Sequence, residues 1–169
     1  MRILILLAVI LLGLSGCDKK GCMDCNATNY DSEVEKEDDS CEFLNEERLG
    51  SYAVSDSISE WNSTEWYYPR SYKIQIERSE CNPDSLIIIG YGNYRPETPF
   101  PVKCNVVGDS LIIPMQNVEG PDFSYEDDWG NKIYVRQNRA WFSGDSIFID
   151  GWFSHHNDTH HHVVWGVKE

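Results

Sequence analysis

The chain has 169 residues, of which 28 are acidic and 14 are basic, so its formal net charge is −14 at pH 7. A body this acidic repels phosphate groups, which disfavours binding to nucleic acid and to anionic lipid headgroups. The length allows one small hydrophobic core with a further segment before it.

The first residues are organised like a signal peptide. Arg2 precedes an apolar run over 3–14, which suits a signal sequence and is too short to span a bilayer. The sequence Leu14-Ser15-Gly16-Cys17 then resembles the lipobox of bacterial lipoproteins. The resemblance implies removal of a signal peptide over 1–16, acylation of Cys17 and anchoring in the cell envelope, with the outer membrane favoured and the leaflet open. An ordinary secretory signal with a chance cysteine is the alternative.

Residues 17–47 are rich in acidic side chains and poor in hydrophobic ones, so they predict a tether without a core of its own. The stretch 21–41 resembles a short repeat of surface and secreted bacterial proteins, G-C-x-D-P-x-A-x-N-Y followed by D-D-G-S-C. The matching residues are Gly21, Cys22, Asp24, Ala27, Asn29, Tyr30, Asp38, Ser40 and Cys41, whereas Cys25, Ser32 and Asp39 depart from it. The resemblance implies a Cys22–Cys41 disulfide and no activity.

Oxygen ligands for calcium are abundant in this tether. The candidates are Asp24, Asn26, Asn29, Asp31, Asp38 and Asp39. The spacing of an EF-hand loop is missing, and the alternative is an acidic segment that is simply solvated.

The chain has six cysteines, at positions 17, 22, 25, 41, 81 and 104. Disulfides are expected among them in an exported chain. Cys81 and Cys104 are predicted to form a second pair, because each lies near the end of a strand at one rim of the expected sheet. Cys25 is then the odd thiol. Its C-x-x-C spacing with Cys22 does not predict redox activity, because no thioredoxin-like βαβ frame surrounds it.

Residues 48–169 predict an all-β domain, because apolar and polar residues alternate with period two. Turns with Asp-Ser after Pro or Gly recur at 83–85, 108–110 and 144–146. About eight antiparallel strands are expected, which suits a meander forming a small up-and-down barrel or a curled sandwich. The strands are predicted near 50–56, 71–78, 85–91, 102–107, 110–116, 132–142, 146–154 and 160–168.

The segments "LGSYAVSDS" and "VVGDSLIIP" resemble small lipocalin-like domains of bacterial lipoproteins. The resemblance implies a barrel that carries a small apolar ligand. The lipocalin signature G-x-W is missing, since Tyr52 stands two residues after Gly50.

Aromatic residues are concentrated in the predicted loop after the first strand, namely Trp61, Trp66, Tyr67 and Tyr68. Flat aromatic faces suit a sugar ring or an apolar ligand at a barrel mouth. The favoured interpretation is that the loop folds over the open end of the barrel as a plug, since large apolar side chains usually bury.

All five histidines lie between 155 and 162. A two-residue loop at Asn157-Asp158 would pair His155 with His160, and alternation would place both on one face with His162. Three imidazoles in that arrangement could bind zinc or copper. The alternative is an exposed, histidine-rich hairpin tip, and a three-residue loop would break the set.

No enzyme is predicted, since the chain has neither a G-x-S-x-G nor an H-E-x-x-H motif. The expected function is a lipid-anchored, non-enzymatic interaction or structural module of the cell envelope that needs no cofactor. The alternatives are a lipocalin-like carrier of a small apolar ligand and a zinc or copper binder, and calcium in the tether is a further option. The protein or small-molecule partner stays open.

Overall fold

The structure is a computed structural model that describes residues 18–61, 63–92, 99–118, 133–136, 138–155 and 158–169. Within these ranges the side chains of 67–69, 133, 155 and 158 are not described. The predicted signal peptide and Cys17 lie outside the described residues. The chain divides into two compact units between Phe43 and Leu44.

The N-terminal unit is stapled by one disulfide. Strands β1 (Lys20–Gly21) and β2 (Lys36–Glu37) pair in parallel, and Cys22 is bonded to Cys41. This confirms the disulfide that the repeat implies. Carboxylates of the unit also hold its turns, as where Asp24 accepts the backbone N–H of Asn26 at 2.9 Å. The segment is therefore a small folded unit rather than a bare tether.

The second unit is built almost entirely from strands. It begins with a 3₁₀ turn over Glu46–Arg48. The strands are β3 (Gly50–Glu60), β4 (Tyr67–Arg78), β5 (Ser85–Ile89), β6 (Pro101–Val107), β7 (Ser110–Ile113), β8 (Gln116–Val118), β9 (Ile133–Val135), β10 (Asn138–Ser143), β11 (Ser146–His155) and β12 (Asp158–Lys168).

Eight of these strands close into an antiparallel barrel, which confirms the predicted fold class. Their order is β10-β7-β6-β5-β4-β3-β12-β11, and pairing of β10 with β11 completes the circle. A barrel leaves no sheet edge open to other chains. The core fills its interior with inward residues from every barrel strand, such as Ile74, Ile88, Leu111 and Ile149.

Two hairpins of the barrel have the predicted turns. Gly108 and Gly144 have φ values of 59° and 57° in two-residue loops between β6 and β7 and between β10 and β11. Glycine adopts this left-handed conformation without steric cost. The third predicted turn differs, because a longer loop separates Arg78 from its partner Leu86.

The simple meander fails at one place, between β7 and β10. Pro114 follows β7 and has no backbone N–H to donate, so the strand predicted over 110–116 ends at Ile113. The chain then forms β8 and β9, which pair with each other. These two strands are outside the closed circle of eight, and β9 is joined to it by pairing with β11. The strand predicted over 132–142 is accordingly divided into β9 and β10.

The predicted Cys81–Cys104 disulfide is wrong. Cys104 is a free, buried thiol on the inner face of β6, where it lies opposite Leu86 and donates to its carbonyl at 3.2 Å. Cys81 is disulfide-bonded, as is Cys25, which was expected to be the odd thiol. Strand alternation explains the error, since it turns Cys104 into the core rather than toward the rim.

Candidate functional site

The histidine-rich hairpin has a different register from the predicted one. His155 pairs with Asp158. His160 lies opposite Phe153 and His162 opposite Gly151. The predicted direct pairing of His155 with His160 across a loop at Asn157-Asp158 is therefore wrong.

His162 belongs to the interior of the barrel. Its side chain is fully buried, and its Nδ1 lies 2.8 Å from Oδ2 of Asp56. Tyr72 donates its hydroxyl to the same oxygen at 3.0 Å and accepts the backbone N–H of Gly92 at 3.2 Å. The ring of Phe153 meets the imidazole edge-on, with centroids 4.9 Å apart. One candidate metal ligand thus belongs to a buried hydrogen-bond network.

No metal set with a histidine is assembled among the side chains that the structure describes. The group of three close ligand-type side chains found there is Cys22, Glu37 and Cys41, and its two sulfurs are already joined to each other. The side chain of His155 lies outside the description, so the predicted three-histidine site stays a prediction. The aspartates among the candidate calcium ligands do not appear in such a group within the described ranges.

Two buried polar atoms inside the barrel lack a hydrogen-bond partner among the described residues, Oδ1 of Asp56 and Nδ2 of Asn138. The other end of the Asn138 amide accepts the backbone N–H of Trp152 at 2.6 Å. Gly151 makes room for this amide, since a Cβ there would overlap it. An unsatisfied buried polar group costs about 1–3 kcal/mol, so these positions are not explained by stability alone.

The outer face of the barrel carries a cluster of Trp61, Trp66, Trp152 and His161. The imidazole of His161 stacks on Trp152 with centroids 4.4 Å apart and an angle of 10° between the rings. Trp61 meets Trp152 at 5.2 Å and Trp66 meets His161 at 5.4 Å. Both loop tryptophans are about half exposed, so the prediction that they plug the barrel is wrong. Tyr67 and Tyr68 begin β4, and their side chains are not described.

A second set of rings lies across three neighbouring strands of the outer face, and we call it the aromatic row: Trp141, Phe148 and Trp165. Phe148 is the register partner of both tryptophans. Its ring lies nearly parallel to that of Trp141, with centroids 5.5 Å apart. Trp141 is 43% exposed and Trp165 is 50% exposed. The row is therefore a large aromatic surface in contact with solvent.

A groove of about 540 Å³ lies at one end of the aromatic row, between β7 and β10. Its walls include Trp141, Arg139, Ser110, Ile112 and Val107. Register places Ser110 opposite Trp141 and Ile112 opposite Arg139. The groove thus combines an aromatic ring, a guanidinium, a hydroxyl and aliphatic side chains on the outside of the barrel.

Comparison with protein-family models, with curated proteins and with solved structures gives no match for this chain. Within its described part, no helix has the length and apolar character needed to cross a membrane.

Sequence reasoning missed most of these residues, although signals for them exist. Asp56 stands in the apolar phase of its strand, two residues after Val54. Trp141 stands in the outward, otherwise polar phase of β10. Trp165 shares the outward phase of β12 with the exposed Val163 and Val167. A residue out of phase with its strand is thus the sequence feature that marks both sites.

Proposed function

We propose that this chain is a lipid-anchored protein of the cell envelope whose barrel is a non-enzymatic interaction module. The observation that carries the proposal is the aromatic row of Trp141, Phe148 and Trp165 on the outer face. Contiguous exposed apolar surface is uncommon on soluble monomers and marks interaction sites. Tryptophan is also enriched among residues that dominate binding energy.

The exposure of Trp141 and Trp165 favours a role in binding over a role in stabilising the fold. Trp141 and Trp165 do little for the core, since about half of each side chain remains in water. A partner that covers them removes apolar area from solvent, which stabilises a complex by roughly 25 cal/mol for each Å². The rings are also held in place before binding, because Phe148 lies between the two tryptophan-bearing strands. Less ordering is therefore needed when a partner arrives.

The lipobox supports the anchoring half of the proposal. Acylation of Cys17 would tie the chain to a bilayer, and several acyl chains on one residue give stable attachment. The disulfide-stapled unit around Cys22 and Cys41 then follows within a few residues of the anchor. The net charge of −14 argues against the headgroups of anionic lipids as the partner of the barrel.

Site-specific photo-crosslinking in intact cells tests the interaction surface. A benzoylphenylalanine is placed at Trp165 in one strain and at Glu77, an exposed position on β4, in the matched control. We expect irradiation to give a discrete product of higher mass from position 165 and none from position 77. Equal products from both positions, or none from either, would contradict binding through the aromatic row.

A second function, that of a carrier, is favoured by the two unsatisfied atoms in the barrel interior. Oδ1 of Asp56 and Nδ2 of Asn138 offer an acceptor and a donor to a small ligand with one polar end. Native mass spectrometry of the protein purified without a tag tests this. A co-purifying mass that Asp56→Asn removes would support a carrier, whereas a bare chain would exclude it.

A further inference from the structure

The groove between β7 and β10 has a defined chemical composition. Trp141 forms one wall, and its exposed surface continues into the aromatic row. Val107 is 57% exposed and Ile112 is 38% exposed, so the aliphatic side of the groove also faces water. Ser110, the register partner of Trp141, places a hydroxyl beside the indole.

Arg139 supplies the groove with hydrogen-bond donors that no carboxylate of the described residues occupies. Asp150 is its register partner on β11, but the Asp150 carboxylate lies 2.5 Å from Nε2 of His161. Within the described part of the chain, no carboxylate is in ion-pair contact with Arg139. A planar guanidinium has five N–H donors in a fixed fork, which suits a pair of neighbouring oxygen acceptors.

We propose that this groove binds a neutral saccharide, an inference that rests on the proposed function and names the partner of the aromatic row. A sugar ring has a face of C–H groups that packs on an aromatic ring and a rim of hydroxyls that accept and donate hydrogen bonds. Trp141 receives the C–H face. Arg139 and Ser110 receive hydroxyls at the rim.

The other occupants fit the groove less well. A purely apolar chain would leave the donors of Arg139 and the hydroxyl of Ser110 without partners when it covered them, which costs binding energy. An acidic ligand would meet Arg139 but approach a body with a net charge of −14. A neutral sugar uses the indole of Trp141, the donors of Arg139 and the hydroxyl of Ser110, and it avoids that repulsion.

Affinity electrophoresis of the full mature chain in native gels tests the proposal. The gels contain dextran, starch, mannan, xylan or hydroxyethylcellulose as neutral probes and polygalacturonate as the acidic probe. We expect at least one neutral polysaccharide to retard the protein. Trp141→Ala should weaken that binding about tenfold or more, as expected for an aromatic anchor. Arg139→Gln should weaken it about threefold, the loss expected for one hydrogen bond.

Tyr134→Ala is the matched control, because Tyr134 is similarly exposed, at 45% against 43% for Trp141, but lies on β9 and not in the groove. It should migrate like the parent, and near-ultraviolet circular dichroism should show that all three variants are folded. Absence of retardation by every neutral probe, retardation by polygalacturonate alone, or undiminished binding by folded Trp141→Ala would each overturn the proposal. If no gel retards the chain while position 165 still crosslinks to a protein, only the saccharide inference fails and the proposed function stands.

Discussion

At the scale of single residues, the Asp56 carboxylate holds the interior polar network together. Oδ2 of Asp56 is shared by Nδ1 of His162 and the hydroxyl of Tyr72, all inside the barrel. Tyr72→Phe removes one of these bonds and should lower the free energy of unfolding by about 1 kcal/mol. Asp56→Ala removes the carboxylate oxygen that both partners share and should cost about 3 kcal/mol or more. Urea unfolding monitored by tryptophan fluorescence measures both losses.

Ser57→Ala, next to Asp56 but on the outer phase of β3, controls for the substitution itself and should change stability by less than about 0.5 kcal/mol. If Asp56→Ala proves no more costly than Tyr72→Phe, then the carboxylate does not connect the network as described.

A second prediction at this scale concerns the buried thiol of Cys104. Burial raises the pKa of this thiol from its ordinary 9.0 to about 12. The folded chain therefore holds the thiol proton more tightly than the unfolded chain. The resulting stability is fully present below pH 9 and is lost as the pH rises toward 12.

Stability curves of the parent and of Cys104→Val, measured by urea unfolding from pH 8 to pH 11, should separate the thiol from other titrating groups. The parent should lose more stability than Cys104→Val over this interval. Parallel curves would show that the thiol titrates alike in the folded and unfolded chains.

At the scale of strands, the packing of β10 on β11 depends on Gly151, which has no side chain. The Asn138 amide occupies the space beside Gly151 and accepts the N–H of Trp152. Gly151→Ala should therefore destabilise the barrel by about 2–4 kcal/mol, because the added Cβ overlaps a side chain that is fixed by its own hydrogen bond. Thermal unfolding measures the loss.

Gly108→Ala is the matched control, since nothing lies within 4 Å of its added Cβ and only its φ of +59° opposes the change. It should cost about 1 kcal/mol. In an Asn138→Ala background, Gly151→Ala should become much less costly, and additive losses would argue against the overlap.

The strands show how far the sequence predicts this fold. Period-two alternation of apolar and polar residues predicts most barrel strands correctly, because the pattern within each strand indicates which of its faces is buried. The β8–β9 excursion is missed, since it depends on Pro114 ending one strand and on β11 accepting an additional neighbour. The interior site is missed for a similar reason. Asp56 and His162 are 106 positions apart, and only the pairing of β3 with β12 brings them together.

At the scale of the whole molecule, the barrel presents different chemistry inside and outside. Its interior joins an aliphatic core to a polar network around Asp56, and its exterior carries exposed tryptophans in an acidic surface. An exterior that binds partners is most useful when the barrel is held where those partners are. The proposed anchor at Cys17 and the proposed binding at the aromatic row are therefore two halves of one function.

The anchor gives the last prediction. Cys17→Ser leaves the apolar signal run over 3–14 intact but removes the sulfur that would carry the lipid. The parent should incorporate an alkyne-labelled palmitate and enter the detergent-rich phase when Triton X-114 is warmed, because each buried methylene contributes about 0.8 kcal/mol to membrane binding. The variant should carry no label and remain in the aqueous phase. Cys104→Ser is the control, since its thiol is buried and should leave labelling unchanged. A parent that carries no label and stays in the aqueous phase would contradict the anchor and favour an ordinary secretory signal, and equal labelling of the parent and Cys17→Ser would place the lipid on another residue.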